Sequence, residues 1–267
     1  MKRKRKGLSM YTQQQVAQYL HRIGLTGPLP LTADTLTRVI TAHYLTVPYE
    51  NLDVLAGVPI SLTEDALYDK IVKRHRGGYC FELNAALGAL LTGMGFSLEH
   101  LTGRFIMGEP EGIMPMRRHH ILLVTLPEGQ YLADAGIMRE SCRVAHPFQV
   151  GVEQFDGVAN YRLSQNDVFC YIMEQAYPGE PYAPMFGFTM ERQYPDDFVM
   201  PSFFCEKHPD SPFNKGYMVG IRNANGSYNL VNSAFKTLVG GTVTETKQVA
   251  EAEIPGVLAE VFGLRNI

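Results

Sequence analysis

Arg76-Gly77-Gly78-Tyr79-Cys80-Phe81-Glu82-Leu83-Asn84 is the stretch from which the rest of this 267-residue chain can be read. Two glycines deliver a cysteine to the start of a predicted helix, whose apolar residues Leu83, Leu87, Leu90, Leu91 and Met94 recur at helical spacing on one face. Cys80 therefore stands at a helix N-terminus. Unpaired backbone N–H groups and the helix dipole there favour a thiolate, which is the nucleophilic form of cysteine. Taken alone, the pattern allows two readings of Cys80: a small buried hydrophobe or a nucleophile.

Upstream of it the periodicity is helical. Ser9 is the expected N-cap of a first helix carrying Val16, Tyr19, Leu20 and Ile23 and ending at Gly24. A second helix is expected after Thr32, with Leu36, Val39, Ile40 and Tyr44 inward, ending before Pro48. His43 reads as a packed, hydrogen-bonded histidine, and Glu50 and Asn51 as side chains that hold a buried turn around Pro48. Ser61 and Glu64 have capping-box spacing for a third helix with Leu67, Ile71 and Val72 inward.

Composition excludes several function classes. The chain is 45% hydrophobic with a formal net charge of -3, which describes a globular protein without a global electrostatic attraction to nucleic acid or an acidic membrane. The basic start, Lys2 to Lys6, has two readings, a nucleic-acid or targeting patch and a solvated tail; the second is the expectation. Cys80, Cys142, Cys170 and Cys205 lie far apart, so neither a metal site nor a disulfide framework is expected. No apolar run reaches the roughly 20 residues of a membrane helix and no apolar segment follows the N-terminal charges, so the expected location is cytoplasmic.

Past Gly95 the period changes to that of strands. Residues 97–107, 119–126, 130–133, 148–153 and 167–174 are expected to form an antiparallel sheet or small barrel, with a hairpin loop at 127–129. Residues 178–184 and 194–197 read as turns, and 201–213 on its own as a surface loop. Strands at 216–222, 228–234 and 242–247 then precede a helix with Ile254, Val257, Leu258 and Val261 inward. Gly240-Gly241 reads as a hairpin turn in preference to a phosphate cradle. The organisation expected is α+β: helical residues 1–95 carrying the nucleophile, a β-barrel-like domain at 96–200 and an α/β lid at 201–267.

The partners of a catalytic cysteine are expected in the strand region. Arg117-Arg118-His119-His120 leads into Ile121-Leu122-Leu123-Val124, and adjacent strand residues point to opposite faces, so one histidine at most serves a given site. Asp134 closes the next strand, where a hairpin can set its carboxylate beside a histidine. Spacing does not choose between His119 and His120.

The nine residues at 76–84 resemble the active-site signature Arg-Gly-Gly-x-Cys-x-Glu-x-Asn of the arylamine N-acetyltransferases and match every fixed position. Val47-Pro48-Tyr49-Glu50-Asn51-Leu52 is similar to that family's Val-Pro-Phe-Glu-Asn-Leu segment with Tyr for Phe, and the stretch ending His208-Pro209-Asp210-Ser211-Pro212-Phe213 to its Ser-Thr-His-Pro-x-Ser-x-Phe segment, with Glu206-Lys207 in place of Ser-Thr. The resemblance implies a cysteine-protease-like core and a triad of Cys80, His119 and Asp134, the histidine five residues before Val124 and the acid fifteen after the histidine. It leaves His120, Ala135, Gly136 and Ile137 as pocket residues. Where the family has Val-Gly-Phe-Gly after the aspartate this chain has Ala135-Gly136-Ile137-Met138, which removes an aromatic wall from the expected acceptor pocket.

The resemblance implies an acetyl-CoA-dependent transferase in which Cys80 holds the acetyl group as a thioester and passes it to an arylamine, arylhydroxylamine or hydrazine. Acetyl-CoA is then a co-substrate, no metal is required, and the expected chain is a monomer or weak homo-oligomer acting on small molecules. A hydrolytic or transglutaminase-like cysteine enzyme shares the same three residues, and a non-catalytic binding module shares the fold.

Overall fold

In the computed structural model, which describes residues 11–110, 112–138 and 141–265, Thr12 caps the first helix, α1 (Gln13–Arg22), by accepting the Gln15 N–H. The cap expected at Ser9 falls outside the described residues, as does the basic start. Helix α2 (Ala33–Thr46) begins after Thr32, whose side chain accepts from Thr35, as its sequence requires. Then come the single turns α3 (Leu52–Leu55) and α4 (Glu64–Leu67). Thr63, and not Ser61, is the cap of α4, because the Ser61 hydroxyl bonds the Thr63 hydroxyl at 3.0 Å and not the helix backbone. A π-helical stretch, Tyr68–Lys73, follows and buries Ile71 and Val72.

Helix α5 (Cys80–Met94) is the centre of the molecule. It was expected to bury one face, yet Ala86, Gly88, Ala89 and Gly93 are buried along with its leucines. The small residues face close neighbours: a Cβ on Gly93 would meet Val16 at 2.6 Å. A helix covered all round belongs inside a domain.

Eight strands form one antiparallel sheet: β1 (Ser97–Phe105), β2 (Arg117–Leu126), β3 (Gly129–Ala133), β4 (His146–Pro147), β5 (Glu153–Phe155), β6 (Asn160–Asn166), β7 (Cys170–Ala176) and β8 (Ala183–Phe188), in the order β4-β3-β2-β1-β8-β7-β6-β5. The chain at 148–151 bridges toward closure of a barrel, because Phe148 N–H donates to Gln130 O at 2.8 Å and Gly151 N–H to Leu163 O at 2.9 Å. The strand expected at 148–153 is thus a linking segment between β4 and β5, interrupted by Pro147 and by Gly151 at φ 79°. Residues 167–169 are the turn of the β6–β7 hairpin, with Asn166 Oδ1 accepting the Val168 and Phe169 N–H groups, so that strand starts at Cys170. Strand β6 was not expected, and β8 begins inside a stretch expected to be turns.

Strand β2 lies between two cores, which explains its unbroken apolar run. Ile121 and Leu123 join the barrel core with Leu101, Phe186 and Phe188; Leu122 and Val124 join the helical core with Leu87 and Leu90. The same alternation sends His119 and His120 to opposite sides.

Of the loop expected at 201–213, residues 201–207 are helical and only 208–211 are irregular. After a 3-10 turn, Pro195–Phe198, comes α6 (Val199–Lys207), and Phe198 and Cys205 pack into the helical core. A second sheet follows: β9 (Met218–Asn223), β10 (Gly226–Val231), β11 (Ala234–Val239) and β12 (Thr242–Gln248), in the order β12-β11-β10-β9, with α7 (Ile254–Glu260) beside it. The strand expected at 228–234 is broken by a turn at Asn232, at φ 54°, and Gly240-Gly241 turns β11 into β12. The sheet is tied to the helices by reciprocal Tyr49–Gly220 backbone hydrogen bonds and by Asn51, which donates to Phe213 O and Gly216 O and accepts from Met218 N–H.

The loop that delivers Cys80 is held by a buried set of charges. Lys70 Nζ lies 2.8 Å from Asp53 and 2.7 Å from Glu82, and Arg76 Nη2 lies 2.8 Å from Glu50 and 2.9 Å from Asp53. Gly77 passes so close to Pro48 that a Cβ would fall 1.8 Å from its carbonyl oxygen, which excludes any side chain there. Three carboxylates face two cations, and burial pushes Glu82 up to about 7 against the pull of Lys70. The folded Glu82 value lies above the ordinary 4.5, so the cost of its charge builds as pH rises from 4.5 to about 7 and is complete above that. Lys70→Met is expected to destabilise the fold by about 3–5 kcal/mol at neutral pH, and by more near pH 8 than near pH 5, because it strands buried carboxylates. Denaturant unfolding at the two pH values checks this; a change under about 1 kcal/mol at both contradicts it.

Candidate active site

The first turn of α5, the start of β2 and the turn after β3 converge on one small volume. Cys80 is the first residue of α5, and its cap, Tyr79, donates its N–H to Glu82 at 3.2 Å. The Cys80 thiol donates to the Arg118 carbonyl at 3.6 Å, which sets the sulfur beside the strand residue that precedes His119. From the other side the chain at Gly136 comes so near that a Cβ would stand 2.8 Å from both Cα and Cβ of Cys80.

His119 points to the barrel side of β2, where its Nε2 lies 2.6 Å from Asp134 Oδ2. A carboxylate in that position holds the ring proton on Nε2 and keeps Nδ1 free of it. The imidazole is flanked by Phe186, with ring centroids 5.0 Å apart, and edge-on by Phe105 at 6.2 Å.

Asn84 ties the three elements together. Its Nδ2 donates to Asp134 Oδ1 at 2.8 Å and to the His120 carbonyl at 2.6 Å, while its Oδ1 accepts the Ala135 N–H at 2.8 Å. Gly136 N–H also donates to Asp134 Oδ1 at 2.8 Å, so the carboxylate is fixed through both oxygens before any substrate enters. Asn84 is one helical turn after Cys80, and that spacing puts nucleophile and amide on the same face of α5. The motif that contains Asn84 was legible; its role in orienting the acid was not.

The electrostatics differ from the expectation based on the helix terminus. Burial pushes the Cys80 thiol well up, Cys205 and Asp134 add to this, and backbone hydrogen bonds at His120 and Phe81 oppose it. Desolvation opposes the helix end at a residue that is 4% exposed.

Of the residues expected in the pocket, Ala135 and Gly136 supply main chain next to Cys80 and Asn84. Ile137 is buried among the barrel-core residues, and its carbonyl accepts the Tyr44 hydroxyl at 2.8 Å. His120 turns to the opposite face of β2 and meets His100. Phe105 and Phe186 were not singled out in the sequence, because their approach to His119 depends on the β1–β2 and β1–β8 pairings. Among the described residues no group of three or more His, Cys, Asp or Glu side chains is placed to hold a metal ion, and no helix is long and apolar enough to cross a membrane. All four cysteines are free.

Comparison with known proteins gives one consistent result. A family model described as N-acetyltransferase matches residues 32–266. The arylamine N-acetyltransferase of Mycolicibacterium smegmatis is 32% identical over 92% of this chain and 90% of its own length. Among solved structures, the arylamine N-acetyltransferase from Salmonella typhimurium has a TM-score of 0.89 at 29% identity, over 95% of this chain and 92% of that one. The Mycobacterium marinum enzyme, solved in complex with CoA, has a TM-score of 0.87 at 29% identity, over 93% and 92%.

The Asn84 contacts yield a direct expectation. Asn84→Ala leaves the Ala135 N–H without its partner and takes from Asp134 Oδ1 one of its two donors, the other being Gly136 N–H, so it should cost about 1–3 kcal/mol of stability. It should also lower kcat/KM for acyl transfer by at least about tenfold, through misorientation of Asp134 and His119. Thermal unfolding and steady-state kinetics on the same preparation check both; a variant with full activity contradicts the role given to the amide.

Proposed function

Because this chain belongs to the arylamine N-acetyltransferase family and is therefore an acyltransferase, we propose that Cys80, His119 and Asp134 move an acetyl group from acetyl-CoA to an aromatic amine through a cysteine thioester. The observation that carries this reading is the 2.6 Å contact of His119 Nε2 with Asp134, made beside a buried thiol that has no other base assigned to it. With its Nε2 proton held by the acid, His119 uses Nδ1 to take the proton of Cys80. The sulfur then attacks the thioester carbonyl of acetyl-CoA. The resulting oxyanion collapses, the C–S bond to CoA breaks, and the CoA thiolate leaves with the proton from His119. In the second half the acceptor nitrogen attacks the acetyl-cysteine, loses a proton to His119, and Cys80 is released as a thiol.

Proton transfer from Cys80 to His119 accompanies the attack of the sulfur. Arylamines, arylhydroxylamines and hydrazines are the acceptors of this reading. Ala135 and Gly136 border the acetyl group through their main chain, Ile137 backs that wall, and the half-buried ring of Phe105, edge-on to His119, takes over the aromatic contact that Ile137 does not supply. The same reading keeps the chain cytoplasmic and monomeric or weakly associated. It also divides the chain into a nucleophile-bearing unit, a barrel and a lid near residues 95 and 200.

Mixed with acetyl-CoA alone, the enzyme should release about one equivalent of CoA in a burst and then stall until an arylamine is added. Phe105→Leu should leave that burst unchanged and lower the arylamine specificity constant by a few-fold to roughly tenfold, the effect of one aromatic contact. Continuous CoA release without acceptor would instead identify a hydrolase. A Phe105→Leu variant with an altered burst and an unaltered arylamine constant would place the acceptor elsewhere.

A further inference from the structure

On the face of β1 and β2 turned away from His119, two more imidazoles meet: His100 Nδ1 stands 2.8 Å from His120 Nε2. His120 is 1% exposed and stacks on Phe198 at 4.0 Å and 25°, while His100 meets the same ring edge-on at 6.2 Å. His100 also leans on α5, its Cε1 3.0 Å from the place a Cβ on Gly88 would occupy. One pair of side chains therefore joins β1, β2, α5 and the turn that leads into α6. The acyl-transfer steps do not use it.

Both rings are held neutral. His120 Nδ1 is fully buried, and the polar neighbour that α5 offers the ring is the backbone at Phe81. Burial, with Arg192 adding to it, holds His100 at about 4; burial, with His100 and His119 adding to it and the Phe81 backbone opposing, holds His120 well below the ordinary range. The groups facing the pair from α5 and from the Pro195–Phe198 turn, Gly88 and Phe198, do not titrate.

The pair is anchored where the strand matters most. The carbonyl of His120 takes the Asn84 amide, and the carbonyl of Arg118 takes the Cys80 thiol, so the residues on both sides of His119 are bonded to α5. We propose that His100 and His120 form a positioning pair for the transfer, clamping β2 on α5 so that His119, on the other face, meets Cys80. The proposal rests on the assignment of Cys80 and His119 to the chemistry, and a displacement of about 1 Å there is enough to cost on the order of a hundredfold in rate.

The test follows alkylation of Cys80 by iodoacetamide as a function of pH, read by peptide mass so that the exposed Cys170 does not confuse it, together with the rate of the acetyl-CoA burst. His100→Phe removes the polar partner and keeps the bulk; it should slow both by about tenfold and move the alkylation midpoint toward higher pH, because the thiolate loses its imidazole neighbour. His100→Asn and His120→Gln keep a polar atom near the places of Nδ1 and Nε2 and should stay within about threefold of the parent. If His100→Phe does not fold, His100→Met decides the same comparison. An unchanged alkylation midpoint in the apolar variants overturns the proposal, as does an equal loss in the polar and apolar ones, even where the unfolding temperature falls. A parent enzyme that alkylates normally but forms no acetyl-cysteine would defeat the assignment of Cys80 to acyl transfer and leave the comparison of alkylation midpoints standing.

Discussion

The carboxamide of Asn84 is the interaction on which this site depends. It is one side chain with three hydrogen bonds, to the acid, to the strand of the histidine and to the turn that closes on the nucleophile. It lies on the helix that begins with Cys80, so the position of Cys80 relative to Asp134 is set through a single rigid element. Helices and strands hold such geometry better than loops do. The partners of Asn84 are satisfied only when the helix, β2 and the turn after β3 are all in place, and so the site and the fold form together.

Around that amide the chain accepts two unfavourable burials. One is the thiol, desolvated and pushed up; the other is the set of Glu50, Asp53, Lys70, Arg76 and Glu82 behind the delivering loop, with more negative than positive charge. Buried ion pairs of this kind are weak evidence for stability, because desolvation offsets most of the attraction. Their contribution here is geometric: Glu50 accepts from Arg76, Gly77 N–H and Leu52 N–H and so fixes the loop on the Pro48 turn. An apolar replacement would bury as well and orient less.

How much of this was legible in the sequence follows from the range of the interactions. Helix α2, the cysteine at the start of α5, the 127–129 turn and the opposite facing of His119 and His120 are local properties, set by caps, periodicity and the two-residue repeat of a strand. The choice of His119 over His120 came from resemblance, since alternation separates the two faces without saying which holds the acid. What was missed is non-local. Strand β6 mixes Asn, Arg, Ser and Gln with Tyr161 and Leu163 and is defined by its pairing with β7. Helix α6 contains Pro201 and three exposed apolar residues, Val199, Met200 and Phe203, so its pattern does not read as a helix face until Cys205 and Phe198 find the helical core. The opposing push of burial on the Cys80 thiol is non-local as well: the helix terminus is a local term, and desolvation by β2 and the turn at Gly136 is not.

The central claim is that the acetyl group resides on Cys80 between the two half-reactions. Peptide mass mapping of the enzyme mixed with acetyl-CoA in the absence of acceptor measures this directly. The account predicts one acetyl group on the peptide carrying Cys80, removed when an arylamine is added and absent in Cys80→Ala. An unmodified Cys80 in an enzyme that still acetylates arylamines, or a Cys80→Ala variant with substantial transfer, would contradict it.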